Sequence, residues 1–253
     1  MKDFEEKLAG LDVSIFEKIE TQLEMGDKRS LLSIQNALRD SLPEYSYLEI
    51  GSYLGGSIQP HLLDPRCARI VSIDKRPASQ PDARGVDYFY LNNSTARMFE
   101  KLRGVSEAGL SKLSTIDGDT AEVDPAAIDG TLDYCFIDGE HTDEAAFRDF
   151  LFCLKVIADS GIIVFHDAPT TYNGLASAIE YLEKAGVPFR AYSLPAIVFV
   201  IELGGIDLYR SPLILDALTN NYGSYLYSLQ YNDHYRRFVN KAPFRLYRRL
   251  MVK

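Results

Sequence analysis

After Pro43 the chain falls into short apolar runs alternating with helical spacings, and this alternation restricts its fold more than any other feature. The runs are Tyr45–Ile50, Arg69–Asp74, Leu113–Ile116, Leu132–Asp138 and Ile162–His166. Helical patterns cover Ser57–Leu63, Ser94–Arg103, Asp143–Ala158 and Leu175–Ala185. Strands that are apolar on both sides and joined through helices predict a parallel sheet covered on both faces. Phe189–Leu194 and Ile197–Leu203 follow with a Pro-containing link too short for a crossover helix, which makes them an antiparallel pair at one edge. The expected fold is α/β, a doubly wound seven-stranded sheet with an antiparallel last strand pair.

Before this core, Ile15, Ile19 and Leu23, then Leu31, Ile34, Leu38 and Leu42, repeat at helical spacing until Pro43 ends the pattern. This gives a helical N-terminal segment (1–44), a core (45–204) and a Tyr-rich, basic, helical C-terminal extension (205–253). No apolar run reaches the roughly 18–20 residues of a membrane-spanning helix. Met1–Glu20 is charged and amphipathic, unlike a signal peptide. Cys67, Cys135 and Cys153 lack CxxC spacing, and the last two lie in apolar patterns, so the thiols are expected to be reduced and the protein cytoplasmic.

The net charge of −9 is unevenly spread, because Tyr231–Lys253 holds seven basic residues against Asp233 alone. The acidic remainder excludes general nucleic-acid binding, which needs a basic surface. The basic tail, with Phe244, Tyr247 and Met251 at helical spacing, reads as a solvated surface helix. A weak membrane-surface contact and a homo-oligomer contact are the competing readings.

Glu49-Ile50-Gly51-Ser52-Tyr53-Leu54-Gly55-Gly56-Ser57 is an acidic strand end followed by a Gly-rich turn into a helix. In an open, Rossmann-like parallel sheet, ligands bind at this carboxyl-end crevice. A dinucleotide would favour GxGxxG without a neighbouring acid. S-adenosylmethionine (SAM) carries an ammonium and a sulfonium, which an acidic strand end suits. Asp74, ending the second strand, is placed for ribose hydroxyls with either ligand. The competing functions are thus a SAM-dependent methyltransferase, an NAD-dependent oxidoreductase, and a catalytically silent SAM-fold binding protein.

The loop resembles motif I of class I methyltransferases in its small-molecule O-methyltransferase variant. Ile137-Asp138-Gly139-Glu140-His141 and Gly161-Ile162-Ile163-Val164-Phe165-His166-Asp167 extend the resemblance to macrocin-type sugar O-methyltransferases and, more distantly, to catechol and caffeoyl-CoA O-methyltransferases. The resemblance covers about Leu31 to Leu203. It implies that Glu49 and the Gly51–Gly56 backbone, with Ser52, Tyr53, Gly55 and Ser57, hold the methionine end of SAM, and Asp74 the ribose. Gly118-Asp119-Thr120 matches the adenine-contacting segment, with Asp117 as a competitor, and Asp138 also borders the cofactor. The implied acceptor is a hydroxyl of a small molecule or sugar.

Asp138, Glu140, His141, His166 and Asp167 all lie at the ends of the fourth and fifth strands, which neighbour at about 5 Å in a sheet. Methyl transfer needs an activated hydroxyl, which a base or a divalent cation provides. His141 and Glu140 are the alternative bases, while His166 orients Asp167 or the acceptor. Asp138 and Asp167 match two Mg²⁺ ligands of metal-dependent relatives, but Ala168 stands where a third would be. His61 and His234 have no supporting pattern and are expected on the surface.

Overall fold

A computed structural model describes residues 2–82, 87–219, 221–223, 225–226, 228–230, 241–243, 246–247 and 250. The described residues form nine strands: β1 (Tyr45–Ile50), β2 (Cys67–Asp74), β3 (Ser79–Pro81), β4 (Asp87–Phe89), β5 (Leu113–Asp117), β6 (Leu132–Ile137), β7 (Ile157–Phe165), β8 (Phe189–Leu194) and β9 (Val198–Leu203). The helices are α1 (Lys2–Ala9), α2 (Met25–Ser41), α3 (Gln59–Leu63), α4 (Thr95–Val105), α5 (Asp143–Val156), α6 (Tyr172–Ala185) and α7 (Pro212–Thr219).

Seven strands form one sheet in the order β5-β2-β1-β6-β7-β9-β8. The first five are parallel, and β9 runs antiparallel to both β7 and β8. The chain starts at the centre, moves to one edge, and returns across β1 to β6. That reversal opens a crevice at the carboxyl ends of β1 and β6.

Strand alternation divides the core between the sheet faces. Tyr45, Tyr47, Tyr134 and Phe136 pack with α2, α4 and the N-terminal segment, whereas Leu48, Ile50, Cys135 and Ile137 pack against α5 and α6. Leu208 and Ile214 join the first cluster, so residues on both sides of the sheet core in sequence share its packing. All three cysteines are buried and free. Among the described residues no helix is long and apolar enough to cross a membrane.

Two sequence expectations need correction, and one element was not foreseen. The helix expected to reach Ala158 stops at Val156, and β7 begins at Ile157 with no intervening loop. No Gly or Pro marks that junction, and the apolar run continues through it. His61 is buried, not on the surface: it stacks on Tyr47 at 3.8 Å, and its Nδ1 lies 2.9 Å from the Tyr45 hydroxyl. Burial depresses its pKa to about 3, so it packs as a neutral ring. The small β3–β4 hairpin had no counterpart in the sequence reading. His234 and most of the basic tail lie outside the described residues.

Candidate active site

At the end of β1 the backbone turns sharply, and Gly51 adopts φ +91°. A Cβ there would come within 2.1 Å of the Asp138 carbonyl oxygen, so the crossing of the two strand ends requires glycine. The N–H of Tyr53 donates to Asp74 Oδ2 at 2.7 Å, tying the loop to the end of β2. Gly56 also makes room for the N-terminal segment. A Cβ there would meet Thr21 Cγ2 at 2.8 Å, because residues 19–23 cross directly over the loop. Gln59 fastens that crossing: its side-chain amide donates to the carbonyls of Phe16, Ile19 and Gly56.

Glu49 is fully buried, accepting from Ser57 Oγ at 2.5 Å and from the Tyr47 hydroxyl at 2.6 Å. Burial pushes its carboxyl up to about 8 against the opposing effect of these two bonds. Ser57, together with Gly51, Ser52, Tyr53, Leu54 and Gly56, lines a cavity of about 260 Å³. Across it stand Asp74, Gln80, Tyr90, Asp138 and His141.

A smaller cavity continues past Gly51 and Asp74 to Gly118, Asp119, Thr120 and Asp149. Burial acts to raise the Asp119 pKa, but the Ala121 N–H, Arg148 and Lys75 together hold it below the ordinary value. Thr120 Oγ1 donates to Asp149, whose carboxyl burial pushes up to about 6. Asp117 turns elsewhere, accepting from the Thr95 hydroxyl and lying 3.4 Å from Arg76 Nε. Arg76, which the sequence reading passed over, is a half-buried bracket: its guanidinium donates to the Tyr53 carbonyl, Asn93 Oδ1 and Asp74 Oδ2.

The ends of β6 and β7 carry an alternating chain of carboxylates and imidazoles. Asp82 Oδ2 lies 3.3 Å from His141 Nδ1, and Asp167 Oδ2 lies 3.1 Å from His141 Nε2. Asp167 also reaches His166 Nδ1 at 2.8 Å, which is 3.0 Å from Asp138 Oδ1. The other ring nitrogen of His166 is 3.4 Å from Asp27 Oδ2, an ion-pair contact without hydrogen-bond alignment. Against the cost of burying a cation, Asp138, Asp167 and Asp27 hold the His166 pKa well above the usual imidazole value. Glu140 does not join this chain. It pairs with Lys75 at 2.5 Å, accepts from Thr142 Oγ1 at 2.9 Å, and faces the smaller cavity.

Two members of the chain were missed at the sequence level. Asp27 enters from the first turn of α2, where it also takes part in a capping box with Glu24. Asp82 comes from the β3–β4 hairpin, which also places Tyr88 edge-on to the His141 ring at 5.5 Å. Burial first, then the Asp138, Asp167 and Asp74 carboxylates, raise the Tyr90 phenol above its ordinary value, a sign that this wall is strongly acidic.

A doubly wound sheet with β9 inserted antiparallel between β7 and β8, and an acidic-ended glycine loop over a two-part crevice, is the arrangement of the class I SAM-dependent methyltransferase fold. Residues 48–168 match the family model described as a methyltransferase domain. The structure of the O-methyltransferase NovP is similar, with a TM-score of 0.55 and 15% identity over 71% of this chain and 81% of that one. CalS11 in its apo form, described as a TDP-rhamnose 3'-O-methyltransferase of calicheamicin biosynthesis, gives 0.52 and 15% over 79% and 86%. At these identities the likeness is one of fold. No curated protein sequence matches the chain.

The crevice fits SAM on its own geometry. Its two cavities share Gly51, Asp74 and Gln80, so one extended ligand can run from one into the other along the strand ends. The strand-end wall is acidic, as a sulfonium and an ammonium require.

Proposed function

We propose that the protein methylates a hydroxyl of a small molecule, with a sugar as the preferred class of acceptor, and that His141 is the base. The carrying observation is the position of His141: it lines the larger cavity beside Asp138, with a carboxylate at each ring nitrogen. A neutral imidazole has one N–H to donate. With that proton directed to Asp82, the lone pair on Nε2 accepts the hydroxyl proton of an acceptor entering beside Asp167. Asp82 and Asp167 then stabilise the resulting imidazolium, as the carboxylate of a catalytic triad does. When bound, SAM would supply the electrophilic methyl group and leave as S-adenosylhomocysteine, while the acceptor oxygen takes up the methyl and passes its proton to His141.

His166, already held as a cation between carboxylates, organises Asp138 and Asp167 and does not take the proton. Glu140, tied to Lys75, closes the cofactor side. The Gly51–Ser57 turn, Asp74 and Gly118–Thr120 border the cofactor along the crevice, and Glu49, buried behind the turn, holds Ser57 in place. The sugar preference rests on the macrocin-type motifs and on the likeness in fold to CalS11.

The Mg²⁺ expectation rests on Asp138 and Asp167, which with His141 bring three donor atoms within 4.8 Å of one another. This set fits Mg²⁺ poorly. Two carboxylates and an imidazole are too few hard oxygens for an octahedral ion, Ala168 adds none, and the His166 cation already compensates both acids. No step of the reaction is assigned to it, and turnover is expected to be unchanged in EDTA.

The deciding assay is methyl transfer from labelled SAM over a panel of hydroxylated acceptors. His141→Gln should lower turnover by about 10²–10⁴-fold while S-adenosylhomocysteine (SAH) affinity stays within about twofold. Unchanged turnover removes His141 as the base. SAH binding without transfer to any acceptor favours the catalytically silent reading.

A further inference from the structure

The larger cavity is acidic along the strand ends but not on its opposite side. There α4 presents Arg97 and Lys101, one helical turn apart, and both line the cavity. Arg97 is anchored through Nη1, which donates to the carbonyls of Leu91 at 3.0 Å and Asn92 at 3.4 Å. This fixes the guanidinium while leaving its other nitrogens without partners among the described residues. Lys101 has no hydrogen-bond or ion-pair partner among the described residues, in contrast to Lys75 and Arg148 of the smaller cavity, which are engaged by Asp119. Two cationic groups with unused donors therefore face the same enclosed space as Asp138 and His141.

The geometry points to an anion subsite: Arg97 and Lys101 receive a carboxylate or phosphate carried by the methyl acceptor, which is thus an acidic molecule. The inference rests on the methyltransferase reading and deepens it. An acceptor with an anionic group at one end and a hydroxyl at the other is oriented by the cavity's own polarity. The basic wall attracts the anion, and the acidic wall repels it from His141 and Asp167. A guanidinium and an ammonium side by side suit such a group through charge-assisted hydrogen bonds.

Calorimetry on the full chain saturated with SAH tests this, with inorganic pyrophosphate as the anion. Wild-type protein should bind pyrophosphate with a Kd below ~1 mM, and Arg97→Gln/Lys101→Gln should weaken this at least about tenfold. SAH affinity should stay within about twofold. Pyrophosphate binding that is absent from the wild type, or unchanged in the double variant, overturns the proposal. A tenfold loss of SAH affinity with methylthioadenosine binding unaffected also overturns it, because methylthioadenosine lacks the amino-acid carboxylate and the pair would then serve the cofactor. Should the double variant melt early, Lys101→Gln alone gives the same readout on an intact helix. If the wild type binds pyrophosphate but not SAH, the methyltransferase reading fails and the anion subsite stands.

Discussion

The two halves of the crevice are built in different ways. On the cofactor side, β1, β2 and β5 supply backbone turns whose polar groups are satisfied locally: Tyr53 N–H by Asp74, Glu49 by Ser57 and Tyr47, Thr120 by Asp149. On the acceptor side, β6 and β7 supply side chains that balance one another's charges and are joined by carboxylates from distant segments, Asp27 from α2 and Asp82 from the hairpin. A site made of backbone tolerates side-chain changes but not changes in shape. A site made of alternating charges should respond in the opposite way.

The sharpest break between the halves is expected at Asp82→Asn, which keeps the shape and removes one charge from His141. Turnover should fall by about 10²–10⁴-fold with SAH affinity near the wild-type value, as when a carboxylate that orients a catalytic imidazole is neutralised. An equal loss of SAH binding would show that the hairpin serves both halves. Gly51→Ala tests the cofactor half in the reverse sense, because it alters no charge. With φ at +91° and a backbone oxygen 2.1 Å from the new Cβ, it should cost ~3 kcal/mol or more of stability in urea denaturation. SAH binding and turnover should fail together, since Gly51 is where the β1 and β6 ends cross.

The same contrast explains what the sequence made legible. The cofactor loop is nine consecutive residues, Glu49–Ser57, so its chemistry and its turn can be read together. Asp138, His141, His166 and Asp167 were legible as strand ends because hydrophobic runs stop there, and the sheet order brings those ends side by side. Asp27 read only as a helix start, which it also is, and its contact with His166 spans most of the chain. The hairpin strands are three residues each and include Pro81, which gives no alternation to detect. His61 was misplaced because a lone histidine carries no periodicity. Its neutral, buried state depends on Tyr45 and Tyr47, which the sheet brings to it from a different segment.

Glu49 allows a smaller effect to be measured within the cofactor half. Its folded pKa of about 8 lies above the unfolded value, so the folded state binds the extra proton between about pH 4.5 and 8. Stability from this group is therefore greatest at low pH and declines as pH rises through that window, by at most ~5 kcal/mol. Glu49→Gln removes the ionisation but can still bond both hydroxyls. The variant should match the wild type near pH 5 and exceed it near pH 8 in denaturant midpoint, without ligand. Asp149 shifts in the same direction but only to about 6, so it adds equally to both proteins and cancels in the difference. Parallel pH profiles would mean that the Glu49 carboxylate is accommodated in the folded loop.

The smallest effect separates two aspartates that the sequence alone left as alternatives. Asp119 faces the smaller cavity, held by Lys75 at 3.6 Å and Arg148 at 3.3 Å, and it accepts the Ala121 N–H at 2.9 Å. Asp117 turns toward Thr95 and is more than half exposed. Asp119→Asn should weaken SAH by about fivefold, because the 118–120 turn loses the charge that fixes it between two cations. Asp117→Asn should change SAH affinity by less than about twofold, as expected for a screened surface group. If the order is reversed, the cofactor reaches the crevice by way of α4 and Arg76 rather than through the 118–120 turn. The division of the crevice would then have to be redrawn at Asp74, one of the residues both cavities share.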